Sequence, residues 1–247
     1  MKQPQALRAV SEHAAGQWGL VTAAQARAAG LTAVDLLRLT EAELLENVGH
    51  GVYLVAGAVP PKHQEIKVAW LRLNPGTPAW RRQRPETYEG VISHASACVL
   101  HDIGDIPATT VTISTPRRRT TREPNVRLLQ RAVDPADVTL IDGLPVTTPE
   151  RTIVDLLADR ADGGHIAGAL ADARHRSLLD LRTLAPRATP YAKSYGLPPA
   201  ATGHDLVAHL LKQPRLPPPP DLLTRALALG LTLTRALANP PPDRDPS

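Results

Sequence analysis

The spacing of hydrophobic and polar residues in residues 19–55 is typical of two short helices and then of strands, where the two kinds of residue alternate. Thr22 and Thr32 stand where helix N-caps are expected, because a threonine hydroxyl satisfies a free backbone N–H at a helix start. Gly30 follows the first of these segments, in the position where a helix ends in a left-handed turn. In the second segment two leucines lie three positions apart and so share one helical face. The pattern predicts two helices joined by a tight turn.

The residues that follow the second helix are typical of a hairpin. Apolar positions in residues 45–53 alternate loosely around Gly49 and Gly51, which suits two strands turned by glycine. Helix, turn, helix and hairpin in this order predict a winged helix-turn-helix domain at residues 1–59. In that fold the helix after Gly30 faces the major groove and the hairpin rests on the DNA backbone.

Beyond residue 60 the pattern predicts strands followed by helices. A β-branched run at residues 110–115 favours a buried strand, and an arginine-rich turn joins it to a second strand. Asp142-Gly143 between two apolar runs is a strong hairpin signal, and Thr148-Pro149-Glu150 has the composition of a helix start. We expect strands at residues 110–115, 126–129, 138–141 and 144–146, and helices at residues 62–73, 94–102, 164–175, 179–184 and 203–212, with another from residue 149.

This order of elements favours an α+β or mixed α/β fold. Residues 60–213 are expected to form a mixed sheet covered by helices on one side, after the N-terminal winged helix-turn-helix. From residue 214 the run PRLPPPP predicts a stiff, extended linker. Residues 214–247 as a whole are interpreted as this linker and a flexible tail.

Cysteine content and hydropathy favour a cytoplasmic protein. The one cysteine, Cys98, excludes an internal disulfide framework and fits a reducing compartment. The N-terminus lacks the apolar run of a signal peptide. No stretch of about 18 uncharged apolar residues occurs, so no membrane span is expected.

The net charge of +4 is unevenly distributed along the chain. Residues 1–61 carry four basic and five acidic side chains, residues 62–131 twelve and six, and residues 132–247 twelve and thirteen. The densest positive group is an arginine cluster on the predicted turn after residue 115. Guanidinium groups at this density suit phosphate or an acidic surface, and a solvated turn stays the alternative. The cluster comprises Arg117, Arg118, Arg119 and Arg122.

Two other groups invite a chemical interpretation. His94, Cys98 and His101 share one helical face, and imidazole and thiolate both bind zinc, but a fourth ligand at clear spacing is missing. We therefore favour core histidines over a metal site. Arg151 and Asp155 lie four residues apart, and without a nearby nucleophile they predict a structural ion pair.

Three blocks of sequence in the first part of the chain, GLVTAAQARAAGL, LLRL and ENVGHGVYLVAG, resemble the N-terminal domain of the AbiEi antitoxins of type IV toxin–antitoxin and phage-defence systems. Three later blocks, SHASACVLHDI, VTISTPRRR and DGLPVTTPERTIVDLL, resemble the C-terminal domain of that family. The resemblance covers about residues 7–157. It implies a regulator that binds double-stranded DNA at its own operator. It also implies an antitoxin that opposes a nucleotidyltransferase toxin without forming a tight complex with it.

The polar groups expected to reach DNA come from the winged domain and from the arginine cluster. Family members tend to carry arginines along the second helix and at the wing tip, where this chain has mainly apolar or acidic residues, and Glu43 stands where a glycine is usual. The alternative is a protein-interaction module whose helix-turn-helix no longer binds DNA. The candidate DNA-binding residues are Gln25, Thr32, Arg38, Asn47, His50, Arg117, Arg118, Arg119 and Arg122.

A nuclease is a third hypothesis, because similar winged domains occur fused to restriction-endonuclease-like domains. That chemistry requires an acidic residue upstream of an acid-x-Lys pair to hold a metal ion. Glu65-Ile66-Lys67 is the one tempting match, and it lies on a predicted helix without strand context. We therefore expect no enzymatic activity, no metal and no cofactor.

Overall fold

The computed structural model describes residues 3–212, and the predicted linker and tail at residues 214–247 lie outside the described residues. Its first part is a winged helix-turn-helix, as predicted. Three strands pair antiparallel in the order β1-β3-β2. The elements are α1 (Gln3–Ala15), β1 (Leu20–Thr22), α2 (Ala23–Ala28), α3 (Ala33–Glu41), β2 (Leu45–Gly49) and β3 (Val52–Val55).

Helix α1 and strand β1 were not predicted. One face of α1 is a narrow stripe of small side chains, Ala6, Val10 and Ala14, each at most 2% exposed. This stripe packs in one core with Leu36 and Leu39 of α3. Alanine differs little in hydrophobicity from its polar neighbours, so the helical periodicity of α1 is weak in the sequence, although the three residues of the stripe are buried.

The elements from α1 to β3, residues 3–55, which we call the winged unit, pack directly on the rest of the protein. Leu20 and Leu54 from its sheet share a core with Trp70 of α4 (Gln64–Leu73) and with the second sheet. Trp18 meets Trp70 edge to face, with 6.2 Å between ring centroids, and donates its indole N–H to the backbone oxygen of Asp142, 2.9 Å away. The winged unit is therefore held in place by packing and hydrogen bonds to the rest of the protein and not only by its chain connection.

The second sheet is mixed, as predicted, with strand order β6-β5-β4-β8-β7. Strands β4 and β8 pair parallel, whereas β4 with β5 and β7 with β8 pair antiparallel. The predicted hairpin turn is confirmed, since Asp142 and Gly143 have φ of 46° and 75°, as a two-residue turn of this type requires. The strands are β4 (Val91–Ile92), β5 (Val111–Thr115), β6 (Val126–Gln130), β7 (Val138–Ile141) and β8 (Leu144–Thr147).

The expectation that helices cover this sheet on one side is wrong. Every residue of β5 and β8 is buried, and side chains of a strand alternate between the two faces. Helix α4 and helix α5 (His94–His101) both contact β5. The sheet centre is thus enclosed on both faces, and the winged unit reaches it through α4.

The strands that flank the arginine cluster run parallel, not antiparallel as a tight turn would require. Val111 pairs with Val126 and Thr115 with Gln130, so the intervening residues must run back along the whole strand. We call residues 116–125 the basic loop. Two contacts hold the loop across the end of α4: Arg119 donates to the Leu73 carbonyl, at 2.5 Å, and Arg72 pairs with Glu123 at 2.7 Å.

The C-terminal helices form a third packed region. Ile153, Ile166, Leu184 and Leu206, each fully buried, come from four successive helices and meet in one core. The helices are α6 (Pro149–Ala158), α7 (Gly163–His175), α8 (Leu181–Ala188) and α9 (Gly203–Leu211), close to the predicted ranges. Between residues 3 and 212, no helix is both long and apolar enough to span a bilayer.

An ion network joins this region to the sheet. The predicted pair of Arg151 and Asp155 is confirmed, with Nε 2.9 Å from Oδ1. Asp155 also accepts from Arg131, the residue after β6, at 2.8 Å. Arg151 pairs with Asp137, which binds Arg187 of α8 at 2.7 Å. Asp155 is 1% exposed, so its role is to tie α6 to its neighbours.

Candidate nucleic-acid interface

Threonine caps fix the two helices of the helix-turn-helix. The Thr22 hydroxyl accepts from the Gln25 N–H at 3.1 Å, and the Thr32 hydroxyl accepts from the Asp35 N–H at 3.1 Å. In both turns the third side chain returns a bond to the cap residue, which completes a capping box. Gly30 between them has φ of 90°, the left-handed conformation predicted for it. The start of α3, the helix predicted to read the groove, is therefore rigidly defined.

The outer face of α3 is open to solvent but weakly charged. Val34 and Leu37 are 53% and 57% exposed, values that are high for large apolar side chains. Arg38 is the single cation of this helix and is exposed, with no ion pair to any residue between 3 and 212. Base contacts by α3 therefore depend on Arg38, on Thr32 and on apolar contact, for example with thymine methyl groups.

Gln25 is not part of this surface, contrary to prediction. It is 1% exposed, and its side-chain oxygen accepts from the Thr22 N–H at 2.9 Å. Its amide also exchanges hydrogen bonds with Gln17, at 2.9 and 3.0 Å. Gln17 in turn accepts from the Ala79 N–H at 2.8 Å. Gln25 thus joins the helix-turn-helix to the loop after α4. The capping-box spacing signals its bond to the Thr22 N–H, but not its bonds to Gln17.

The remaining candidates of the winged unit lie on its surface. Thr32 is exposed, although its hydroxyl already bonds Asp35 at 2.8 Å. Asn47 is exposed in β2, and its side-chain oxygen accepts from the Gly49 N–H at 3.1 Å, which shapes the hairpin. His50 is exposed at the wing tip. Asn47 and His50 keep side-chain groups that can face a DNA backbone.

The wing tip and the basic loop share one groove. A depression of about 590 Å³ has His50 on one wall, Arg72 on another and Arg118 and Arg122 on the basic loop. The wing reaches this position because Gly49 lies against α4, where a β-carbon would come within 2.7 Å of the Val68 side chain. We call this depression the wing groove. It supplies the positive charge that the winged unit lacks.

The four arginines of the cluster differ in their availability. Arg119 is committed to the fold, since it bonds the Leu73 carbonyl and pairs with Glu89 at 2.7 Å. Arg117, Arg118 and Arg122 are exposed and form no ion pair within the described part of the chain. Arg117 lines a separate cavity, beside Arg119. Arg119 also lines the wing groove, so Arg118 and Arg122 are the members of the cluster that line it and form no ion pair within the described residues.

Sequence reasoning missed Arg72, because the helical pattern of α4 shows which face is apolar but not what stands beside the polar face. Arg72 is half-buried and lies between the wing tip and the basic loop. Its partner Glu123 comes from the end of the basic loop. Only the parallel pairing of β5 and β6 brings that loop across α4, and no local sequence signal records this pairing.

The three side chains considered as metal ligands lie in the core. Burial raises the pKa of the Cys98 thiol to about 12, so the thiol stays protonated. Burial also lowers the pKa of His101, although the Thr147 carbonyl, 2.7 Å from Nε2, favours the charged form. Burial likewise lowers the pKa of His94, which contacts the Ser93 hydroxyl at 2.9 Å. Among the described residues no group of three potential ligands occurs.

Residues 8–56 match the model of a protein family described as transcriptional regulator, AbiEi antitoxin. The predicted resemblance to the AbiEi antitoxins is confirmed over these residues. They begin in α1 and end just after β3, so the match spans the winged helix-turn-helix. The description names a class of regulators and antitoxins, not a class of enzymes.

Among solved structures, the chain is similar to the crystal structure of the RV2827C protein from Mycobacterium tuberculosis. The two are 18% identical, with a TM-score of 0.46, over 87% of this chain and 84% of that one. No curated protein matches the chain.

Proposed function

We propose that this protein is a DNA-binding autoregulator and an AbiEi-type antitoxin that acts in the cytoplasm against a nucleotidyltransferase toxin. The family match over residues 8–56 supports the regulator class. The observation that carries the DNA-binding proposal is the wing groove, where His50 of the wing stands beside Arg72, Arg118 and Arg122. In this proposal residues 1–59 read DNA and residues 60–213 carry the antitoxin role.

The proposal divides DNA recognition between two surfaces. Lysine and arginine contacts to phosphate supply most of the affinity of such proteins, whereas contacts to base edges supply the sequence preference. The wing groove is lined by four guanidinium groups, those of Arg72, Arg118, Arg119 and Arg122, and suits the backbone. The exposed residues of α3 include Arg38, the apolar Val34 and Leu37 and the acidic Glu41, and the exposed Thr32 caps the helix start. We therefore assign affinity mainly to the groove and preference mainly to α3.

A gel-shift experiment on the full chain tests this proposal. The DNA upstream of its own gene is compared with a scrambled duplex of equal length and composition, at increasing salt. Preferential binding to the upstream DNA that weakens with salt is the expected result. If neither duplex binds at low salt, or if both bind equally, operator recognition is refuted.

The antitoxin proposal has its own test. A nucleotidyltransferase encoded beside the gene is expressed alone and together with this protein, and growth is followed. Co-expression should restore growth, while affinity capture from the same cells should recover no stable complex of the two. Persistent growth arrest on co-expression would refute the antitoxin role, and a stable complex would refute the proposed absence of direct contact.

A protein-interaction module is the second candidate, because the outer face of α3 exposes Val34 and Leu37. An apolar pair in this position suits a partner helix as well as a thymine methyl group. The replacement Leu37→Ser separates the two functions. Loss of operator preference with the oligomeric state unchanged favours DNA reading, whereas dissociation of an assembly with DNA binding unchanged favours the module.

A further inference from the structure

A second positively charged cavity lies next to the wing groove. It has a volume of about 570 Å³ and opens between the loop after α4 and the first residues of the basic loop. Arg119 is the one residue that lines both this cavity and the wing groove, within the described part of the chain. We call it the arginine cavity. Its charged walls are Arg81, Arg82, Arg117, Arg119, Glu86 and Glu89.

Arg82 is the unusual residue of the arginine cavity. Its side chain is among the largest fully buried ones, and its guanidinium stacks on Trp70 with 3.7 Å to the ring centroid. One nitrogen donates to the Trp70 carbonyl at 3.1 Å, but Nε and Nη1 have no hydrogen-bond partner among the described residues. Burial lowers the pKa of Arg82 to about 10, so the group is charged at neutral pH. A buried cation with unpaired N–H groups is costly for the fold unless an anion compensates it.

The acids of the cavity provide only part of this compensation, because the charge of Glu89 raises the pKa of Arg82 but Glu89 forms no ion pair with it. Glu89 is engaged by Arg119 at 2.7 Å and by the Asn74 amide at 2.6 Å. Arg82 forms no ion pair within residues 3–212, and neither do Arg81 and Arg117 at the rim. Four guanidinium groups therefore face two carboxylates, and the cavity keeps a net positive charge.

Neutral donors complete the wall. Tyr88 lines the cavity, and burial, helped by Glu86, raises the pKa of its phenol, so the hydroxyl keeps its proton at neutral pH. Thr77 contributes a second hydroxyl. Planar guanidinium forks with hydroxyl donors match the oxygens of a tetrahedral dianion.

We propose that the arginine cavity binds a small phosphate-class dianion, either free phosphate or the phosphate group of a phosphomonoester. Bound there, the ligand compensates Arg82 and contacts Arg117 and Arg81 at the rim. Because Arg117 and Arg119 belong to the basic loop, the ligand also holds that loop in place. This site is additional to DNA binding and does not depend on it.

Isothermal titration calorimetry on the full chain tests the site. Inorganic phosphate is titrated at constant ionic strength, with chloride as the reference anion, and a Kd on the order of 1 mM is expected for a few charge-assisted contacts. A nucleoside 5′-monophosphate and the same nucleoside without phosphate form the second arm. Tighter binding of the monophosphate identifies a phosphomonoester ligand, and equal binding identifies free phosphate. Absence of heat with both phosphates at about 10 mM overturns the proposal.

Two adjacent arginines provide a matched pair of variants. Arg117 lines the arginine cavity and Arg118 lines the wing groove, and both are exposed and unpaired among the described residues. Arg117→Ala should weaken phosphate binding about 10-fold, as expected for the loss of one charge-assisted hydrogen bond, and Arg118→Ala should leave it within about 2-fold. Equal losses in both variants would indicate a general charge effect and overturn the site.

Arg82→Met adds an internal test, since methionine keeps an apolar stack on Trp70 but removes the charge. The variant should unfold as cooperatively as the parent and lose phosphate-dependent stabilisation. If Arg82→Met does not fold, the comparison of Arg117→Ala with Arg118→Ala decides whether the arginine cavity binds phosphate. A folded variant that still binds phosphate with parental affinity would contradict the assignment of Arg82.

Discussion

Removal of Arg118 and Arg122 from the wing groove should weaken DNA binding without weakening the fold. Both side chains are exposed and make no ion pair with any residue that the structure describes. Surface substitutions of this kind change the free energy of unfolding by at most about 0.5 kcal/mol. Arg119 is deliberately left in place, because it bonds the Leu73 carbonyl and Glu89 and its loss would disturb the loop.

The size of the effect follows from the two charges. Each phosphate contact contributes about 0.9 to the slope of log K against log salt, so the double variant should lose up to about 1.8 from the slope. A charge pair at about 4 Å in water is worth about 1 kcal/mol. Two such pairs correspond to roughly a 30-fold loss of affinity at low salt.

Fluorescence anisotropy with labelled operator DNA measures both quantities, from about 50 to about 200 mM salt. Arg160→Ala with Arg174→Ala is the matched control, since it removes the same charge from exposed arginines near the C-terminal helices that likewise form no ion pair with any described residue. The control should keep the parental slope. An unchanged slope in the Arg118 and Arg122 variant, or an equal reduction in the control, would refute the assignment of the wing groove to the DNA backbone.

Three further substitutions test separate parts of the structure. Arg38→Ala should change the preference among base-substituted operators more than the affinity for all of them, and a uniform loss in binding assays would contradict this. Glu43, at φ of 57°, occupies a left-handed position; Glu43→Gly should raise the unfolding free energy by about 0.5–1 kcal/mol, since relief of about 1–2 kcal/mol exceeds the entropy cost of glycine. A lower melting temperature for Glu43→Gly than for the parent would exclude backbone strain at Glu43. Asp137→Asn should cost about 2 kcal/mol at neutral pH in denaturant unfolding, because Arg151 and Arg187 lose their shared carboxylate. Equal stability of Asp137→Asn and parent at pH 7 would remove Asp137 from the network.

The stability difference between the parent and Asp137→Asn should depend on pH, and the pKa of Asp137 determines the direction. Burial alone raises the pKa of Asp137, but the hydrogen bonds and charges of Arg187 and Arg151 together outweigh burial and lower it. A lowered folded pKa gives stability that is present above the unfolded pKa, about 4, and lost as pH falls through the folded value. The difference between parent and Asp137→Asn should therefore shrink on acidification below about pH 4.

Local signals in the sequence predicted much of the fold. Thr22, Gly30 and Thr32 mark helix ends through bonds made within four residues, so their roles follow from spacing alone. Asp142-Gly143 likewise fixes its own turn and the register of β7 and β8. Such elements are recognisable because the interactions that form them lie inside the motif.

Features set by distant partners were not predicted. The sequence predicts a tight turn for the basic loop. In the structure β6 pairs parallel with β5, and the loop crosses the end of α4, where Glu123 pairs with Arg72. The sequence predicts a surface amide at Gln25, but the side chain is buried and bonds Gln17, which itself accepts from the Ala79 N–H. Arg82 lies in a loop with two other arginines, Arg81 and Arg84, and nothing local distinguishes it, yet it is buried and stacks on Trp70. In each case the deciding contact is long-range, so composition and periodicity carry no trace of it.

Hydrogen–deuterium exchange of the full chain with and without operator DNA tests whether α3, the wing and the basic loop bind DNA together. Slower exchange on DNA binding is expected in α3, in the β2–β3 hairpin and in the basic loop, with α7 and α9 unchanged. Protection confined to the C-terminal helices, with α3 and the wing exchanging as in the free protein, would contradict it.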